Sequence, residues 1–276
     1  PDDGYADGYD LLTTPNDTMR LTRGLVTEQA FDILVITETR THEAEVEAVR
    51  GHWSHPQDGV TWQSIVTPGR PSAQNSTQWG VTIVWRTDKF VVIDAHVVIP
   101  ARMVCVTLEV IGDIKQEPIT VYGCYMPQRQ AARGVIDAAW DVITTLAIAN
   151  RRAWVVGDLN AEPTRVVMAR ERDPTYADQR FDTLIEAAHL RYDSDGRRTH
   201  AKGGELDHIL ASRTHADTVS RTKIHVWQGQ DHDCVYADYR FHEDTEGWGE
   251  KRPVGPNICG TTDAEWARFH AAVALL

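Results

Sequence analysis

Lysine is scarce in this chain: 5 of its 28 basic residues, the other 23 being arginine. With 40 acidic residues the formal net charge is −12. A broad basic surface for gripping a polyanion is therefore missing, so any such partner is expected to be held weakly, or docked by another region of a longer protein. The basic charge that is present sits on arginine, the better fork for phosphate. The four cysteines (Cys105, Cys124, Cys234, Cys259) show no CxxC spacing, which removes the usual zinc and redox signatures. Cys105 and Cys124 fall in strand-like apolar runs, so the thiols are read as buried and free, in a reducing compartment. No apolar stretch approaches the ~20 residues of a membrane span. The N-terminus has no basic-plus-apolar signal and begins at Pro1 rather than Met, as expected of a piece of a longer protein or a trimmed mature chain. There is no internal repeat and no low-complexity tract.

The 276 residues, 42% apolar and 25% charged, suffice for one large domain with an ample core. Residues 1–8 are acidic and Gly-rich and read as a loose leader. Tyr9 to Thr14 predicts a first strand ending at Pro15-Asn16, and Met19 to Ala30 a helix. Residues 31–36 (Phe-Asp-Ile-Leu-Val-Ile) form the continuous apolar run of a strand buried on both faces. Residues 54–78, rich in Ser, Pro, Gly and Gln, predict loops. Strands are expected at Val81–Trp85, Phe90–Val98, Val104–Ile111, Ile119–Cys124, Ala153–Val156, Leu206–Leu210, Ile224–Trp227 and Cys234–Tyr239. Gly134 to Ala149 carries Ile136, Trp140, Ile143 and Ala147 at helical spacing, with Asn150 as terminator. Phe181, Leu184, Ile185 and Ala188 mark a second helix. Strands that outnumber helices and often follow one another predict two mixed β-sheets packed face to face with outer helices, a four-layer α/β sandwich. That domain is expected over residues 9–241. Residues 242–276 read as a C-terminal extension or linker, with a helix from Thr262 to Leu276.

Chemistry-bearing residues gather where apolar runs end. Glu38 follows the run 31–36, and a carboxylate above a strand end suits Mg²⁺, which takes one or two carboxylates plus waters. Asp158 and Asn160, in Gly-Asp-Leu-Asn after Trp154-Val155-Val156, are two residues apart and face the same way in extended chain. Such a pair can deprotonate a water and hold a phosphate oxygen. Asp231-His232 precedes the last core strand, and Asp207 could orient His232 as an imidazolium. Tyr125 ends a β run with its hydroxyl in reach of the same place. Asn16 could join a metal shell through water. Taken singly, each also reads as a turn, a surface acid or a strand cap. Trp85 reads as core; Trp53, Trp62 and Trp79 stay open, as does His208.

Together these stretches resemble the endonuclease/exonuclease/phosphatase superfamily, the group of DNase I, apurinic endonucleases and retrotransposon endonucleases. Thr37-Glu38-Thr39 is similar to its "QET", Gly157-Asp158-Leu159-Asn160 to "GDxN", Leu206-Asp207-His208-Ile209-Leu210 to "IDYIL", Gln230-Asp231-His232 to "SDH", and Tyr125-Met126-Pro127 to "YxP". Departures are Asn16-Asp17-Thr18-Met19 for N-x-N/D-G, Gln230 for serine and His208 for tyrosine. The compact course from Gly157 through Arg198-Thr199-His200 to Asp207 looks most like the endonuclease module of non-LTR retrotransposons. The resemblance implies a Mg²⁺- or Mn²⁺-dependent DNA nickase leaving 3′-hydroxyl and 5′-phosphate ends. Glu38, Asn16 and Asp231 would hold the metal, Asp158 the water and Asn160 that aspartate or the phosphate. Tyr125 and the Asp207–His232 pair would stabilise the phosphorane. DNA as substrate, no membrane, further polyprotein domains and an intracellular, nuclear setting follow from the same resemblance. The alternative is an apurinic-site endonuclease, or a phosphatase acting on a lipid or nucleotide.

Overall fold

Strand β1 (Ile33–Thr37) is five consecutive apolar or β-branched residues, all buried, and the fold is layered around it. The computed structural model describes residues 31–54, 59–71, 77–111, 117–192, 198–201, 203–213, 222–225, 232–240 and 268–275. A 3-10 turn (Glu43–Glu45) leads into α1 (Val46–Ser54). Strands β2 (Trp62–Thr67), β3 (Arg70–Pro71), β4 (Thr77–Gln78), β5 (Val81–Arg86), β6 (Phe90–Ile99), β7 (Met103–Val110) and β8 (Ile119–Tyr125) follow. Helix α2 (Arg133–Ala149) precedes β9 (Ala153–Asp158); then come α3 (Thr164–Ala169), α4 (Tyr176–Ala187), β10 (Leu190–Arg191), β11 (Asp207–Ser212), β12 (Lys223–His225), β13 (Cys234–Arg240) and β14 (Arg268–Leu275).

Two six-stranded mixed sheets result, in the orders β12-β13-β14-β1-β5-β2 and β10-β11-β9-β8-β7-β6, with β3 and β4 as a separate small hairpin. Their facing sides share one core: Ile33, Val35, Ile83 and Trp85 from the first sheet meet Val104, Val106, Val121, Trp154, Val156 and Ile209 from the second. Alternation within each strand sends the other residues outward. Outward Leu34, Ile36 and Val84 pack on Val46, Val49 and Trp53 of α1. Outward Tyr122, Cys124 and Val155 pack on Ile136, Trp140 and Ile143 of α2 and Phe181 of α4. This is the four-layer α/β sandwich expected from the strand pattern. Each fully buried Val, Leu or Ile contributes roughly 1.5–3 kcal/mol.

Local signals behave as their chemistry dictates. Helix α2 ends where Asn150 turns extended; its amide still reaches Leu146 O (3.1 Å), and its side chain ties Thr120 Oγ1 (2.7 Å) to Arg152 N (2.9 Å). Helix α4 opens with a reciprocal cap: Thr175 N donates to Asp178 Oδ2 (2.8 Å) and Asp178 N to Thr175 Oγ1 (3.3 Å). Cys105, Cys124 and Cys234 are free and buried, and burial pushes the Cys105 thiol up to about 12.

Two expectations need correction. Residues 54–78 are not all loop: Trp62-Gln63-Ser64-Ile65-Val66-Thr67 is β2, paired along its whole length with β5. Polar Gln63 and Ser64 disguise a strand that lies at the sheet edge. The run toward the C-terminus is not a helix where it is described: Arg268–Leu275 is a strand, parallel to β1 and antiparallel to β13. Phe269, Ala271, Val273 and Leu275 alternate at strand spacing as well as Trp266, Phe269, Ala272 and Val273 repeat at helical spacing, and for so short an apolar run the place between β1 and β13 decides. The expected strand at 9–14, the helix at 19–30, Asn16 and Asp231 lie outside the described residues.

Candidate active site

Three neighbouring strands of the second sheet deliver three site residues to one rung. Parallel β8 and β9 pair Tyr125 with Asp158, and antiparallel β9 and β11 pair Asp158 with Asp207. Residues paired across a ladder point to the same face, so the three side chains stand side by side at the strand ends. Gly157 makes the approach possible. Its φ is +139°, and a Cβ there would lie 2.0 Å from Cys124 O.

Asp158 is buried, and both its oxygens are held by Asn160: Oδ1 accepts from the backbone N–H (2.8 Å) and Oδ2 from Nδ2 (3.1 Å). The Asn160 amide also donates to Met126 O (2.9 Å), and its φ of +49° wraps the chain back over the aspartate. Burial raises the Asp158 pKa well above the usual carboxylate range, with Asp207's charge adding to the effect and His232 and the Asn160 amide opposing it. Asp207 Oδ2 meets His232 Nδ1 at 3.0 Å. Its Oδ1 is buried with no hydrogen-bond partner among the described residues. One ligand atom each from Asp158, Asp207 and His232 fall within 4.8 Å of one another.

Thr199 holds this corner together. Its hydroxyl accepts from the amides of Leu206 (2.9 Å) and Asp207 (3.2 Å), while its carbonyl accepts from Asp233 N (2.8 Å). One residue thus sets both the start of β11 and the segment bearing His232. His208 faces the other side of β11. There its Nε2 donates to Ala161 O (2.9 Å) and its ring packs on Phe181, so it braces the 158–162 loop from behind.

Glu38 follows β1 with φ +52°, and its loop is pinned by Arg40 N to Trp79 O (2.9 Å). The Tyr125 hydroxyl donates to Glu38 Oε1 and Arg40 Nη2 to Oε2 (3.2 Å). Burial and then the Glu38 charge push the Tyr125 pKa up, so the phenol keeps its proton. Glu38 and Tyr125 line an open cavity of about 820 Å³ with Arg40, His42, Trp79 and Arg102. Arg102 lies 3.9 Å over the Trp79 ring and donates to Tyr125 O (3.2 Å). Burial lowers its pKa, and Tyr125, Asp158 and Glu38 are among the charges it senses. The guanidinium is thereby held rigid beside the rung.

The structure therefore brings Tyr125 together with Glu38, and Asp158 together with Asn160, Asp207 and His232. Sequence reasoning missed Arg102 and Thr199 as site residues and left Trp79 open; it did not count His42, which lines the cavity and meets Thr77 Oγ1 at 2.7 Å. It also missed a brace beneath the site. Glu162 is fully buried and accepts from Arg129 (3.0 Å), Arg170, Arg172 and Glu205 N (2.9 Å), while Arg129 Nε also donates to Asn160 O (3.2 Å). Burial works to raise the Glu162 pKa, but the Glu205 amide and the guanidinium groups overcome it and leave it at about 2. The one available signal was a glutamate two residues after Asn160 in a chain rich in arginine. Two buried carboxylates, Asp158 and Asp207, the latter with an unpartnered oxygen, form with His232 a donor set suited to a divalent cation.

The sequence profile described as the Endonuclease/Exonuclease/phosphatase family matches residues 12–232. Among solved structures, the chain is similar to the AP endonuclease LMAP of Leishmania major (TM-score 0.59, 12% identity, 80% of this chain and 81% of that one). It is also similar to the endonuclease domain of TRAS1, a telomere-specific non-LTR retrotransposon (0.53, 12%, 79% and 89%), and to the human Nocturnin catalytic domain (0.51, 16%, 79% and 78%). No curated protein sequence matches. Those structural likenesses carry the fold, and the profile spans most of the chain: it belongs to the endonuclease/exonuclease/phosphatase family.

Proposed function

We propose that this chain is a Mg²⁺- or Mn²⁺-dependent DNA endonuclease of the non-LTR retrotransposon kind, nicking one strand to leave a 3′-hydroxyl and a 5′-phosphate. The observation that carries the reading is the rung of Tyr125, Asp158 and Asp207, completed by His232 and opening beside an arginine- and tryptophan-lined cavity. The likeness to the TRAS1 endonuclease domain supports the choice of branch. DNA as partner, a place within a polyprotein and a nuclear setting belong to this proposal.

Glu38, with Asn16 and Asp231, would hold the cation, and a bound divalent cation supplies Lewis-acid relief of charge on the phosphate. The rest falls to the chain. Asp158, with its raised proton affinity, is a stronger base than an ordinary aspartate and takes the proton of the attacking water. Asn160 fixes which oxygen lone pairs face that water. His232, oriented by Asp207, donates as an imidazolium to an equatorial oxygen as charge builds there. Tyr125 keeps its proton and donates to the same phosphate once substrate displaces it from Glu38. Arg102 and Arg40 face the flanking backbone along the cavity wall.

A second reading, an apurinic-site endonuclease, is favoured by the likeness to LMAP. Plasmid nicking with Mg²⁺, with EDTA and with Asp158→Ala, beside an abasic oligonucleotide, separates the two. Metal-dependent nicking of intact supercoil that Asp158→Ala abolishes is expected. Cleavage only at the abasic site would select the second reading, and no cleavage of either would refute both.

A further inference from the structure

Strand β6 is ten residues long, lies at the end of its sheet and, among the described residues, pairs only with β7. An edge strand of this length usually carries a lysine, a proline or inward charges that stop further pairing. Residues 90–99 read Phe-Val-Val-Ile-Asp-Ala-His-Val-Val-Ile, with neither lysine nor proline. Val91, Ile93 and Val97 are 53%, 53% and 42% exposed. Two bulges interrupt the pairing to β7, between Val92 and Asp94 and between Val97 and Ile99. Bulges often blunt an edge, but these flank the central run 94–97 rather than break it.

The run is close to a palindrome about Ala95. When two copies of β6 are laid antiparallel with Ala95 opposite Ala95, Val92 faces Val98, Ile93 faces Val97 and Val91 faces Ile99 of the second copy. Asp94 falls opposite His96, and His96 opposite Asp94. In a two-fold pair every contact occurs twice, so a sequence of this pattern places apolar against apolar and acid against base at each position. Within one chain Asp94 and His96 already bond at 2.8 Å on the exposed edge, so the hydrogen-bonding pair is formed and presented. An unrelated partner would not require this symmetry; a second copy of the chain does.

We propose that β6 is a homodimer interface, joining two chains through antiparallel β6–β6 pairing about Ala95 into one continuous sheet. The proposal is independent of the catalytic reading, because β6 supplies no residue to the active-site cavity.

Sedimentation equilibrium of the chain should show a concentration-dependent dimer. Ile93→Lys or Val97→Lys should shift it to monomer, with an unchanged circular dichroism spectrum because both side chains are exposed. His96→Glu should weaken it by setting Glu opposite Asp94, and the double variant Asp94→Lys with His96→Glu should restore it. Register is read by cross-linking. In an antiparallel pair the opposed Cα atoms lie about 4.5–5.5 Å apart, within disulfide reach. Ala95→Cys should therefore link two chains on mild oxidation, while Val91→Cys, facing Ile99, should not. A chain monomeric at every concentration, a dimer indifferent to Ile93→Lys and Val97→Lys, or equal cross-linking by both cysteine variants would each overturn the proposal.

Discussion

Replacing Asp158 with Asn should inactivate the protein and yet stabilise it. Asp158 and Asp207 are both buried, with facing atoms within 4.8 Å. At an effective dielectric of about 20, two unit charges at that distance repel by about 3.5 kcal/mol. Asparagine removes the repulsion and keeps an oxygen for the Asn160 amide. It loses the bond between Asp158 Oδ2 and Asn160 Nδ2, about 1 kcal/mol, and the attraction to His232 offsets a similar share. The net gain is about 1–2 kcal/mol, or roughly 2–6 °C in Tm for a chain of this size. The pH dependence carries the sign. Asp158 binds its proton more tightly folded than unfolded, where an aspartate titrates near ~3.9. Wild-type stability therefore falls as pH rises from that value through the raised native one. The advantage of Asp158→Asn should appear above that window and vanish below it. Thermal melts from pH 4 to 8 with EDTA read this directly. Adding Mg²⁺ should then stabilise wild type more than the variant, since a cation relieves the same repulsion. A variant less stable than wild type at neutral pH, or a difference that ignores pH, would show that the two carboxylates do not repel and would remove the basis for Asp158 as a strengthened base.

Gly157→Ala should cost about 3 kcal/mol or more, because a Cβ would meet Cys124 O at 2.0 Å and the φ of +139° is one that L side chains rarely adopt; a chemical denaturation midpoint measures it. Glu162→Gln should cost about 3 kcal/mol by leaving three guanidinium groups short of a carboxylate. In wild type that contribution is present above the unfolded value near ~4.3 and is lost as pH falls toward about 2, which acid titration of the melting curve will trace. Tyr125→Phe should leave Tm nearly unchanged and lower kcat about 100-fold with little change in KM, since it removes only a donor; a much smaller further loss in the Glu38→Ala background would show the two act as one unit.

Legibility followed burial. The strands buried on both faces announced themselves: Ile33–Thr37 and Ala153–Asp158 are apolar at nearly every position, and helix α2 shows its 3.6-residue stripe through Ile136, Trp140 and Ile143. Two strands with mixed patterns did not. Strand β2 carries polar Gln63 and Ser64 in its first half, and β14 offered two periods at once. In the site, residues defined by short motifs were readable, since Gly157, Asp158 and Asn160 fall within four consecutive positions. Thr199 and Arg102 were not. Thr199 acts through three backbone partners scattered between 206 and 233, and Arg102 through a tryptophan 23 residues away, so neither leaves a local pattern. The Asp207–His232 bond spans 25 residues, yet the chemistry of a histidine that needs an orienting carboxylate made it an expectation from the residues, which the resemblance then reinforced.

The charge balance that first argued against a polyanionic substrate reads differently once the residues are placed. Glu38, Asp158 and Asp207 belong to the −12, yet Asp158 and Asp207 meet with His232 where a divalent cation would reverse the local sign, and Glu38 lines the cavity beside Tyr125. Glu162 and Asp178 are spent internally on Arg129, Arg170 and Arg172. Arg40, Arg70 and Arg102 are left around Trp79 and the cavity, two of them within 6 Å of its ring. Net charge thus understates the local field that the proposed cation, with Arg70 and Arg102 beside Trp79, would create there. Such a protein should bind DNA with few phosphate contacts and a shallow salt dependence, so that its cleavage rate, more than its affinity, reports engagement. A salt slope of KM as steep as that of a protein making eight or more phosphate contacts would contradict this placement of charge.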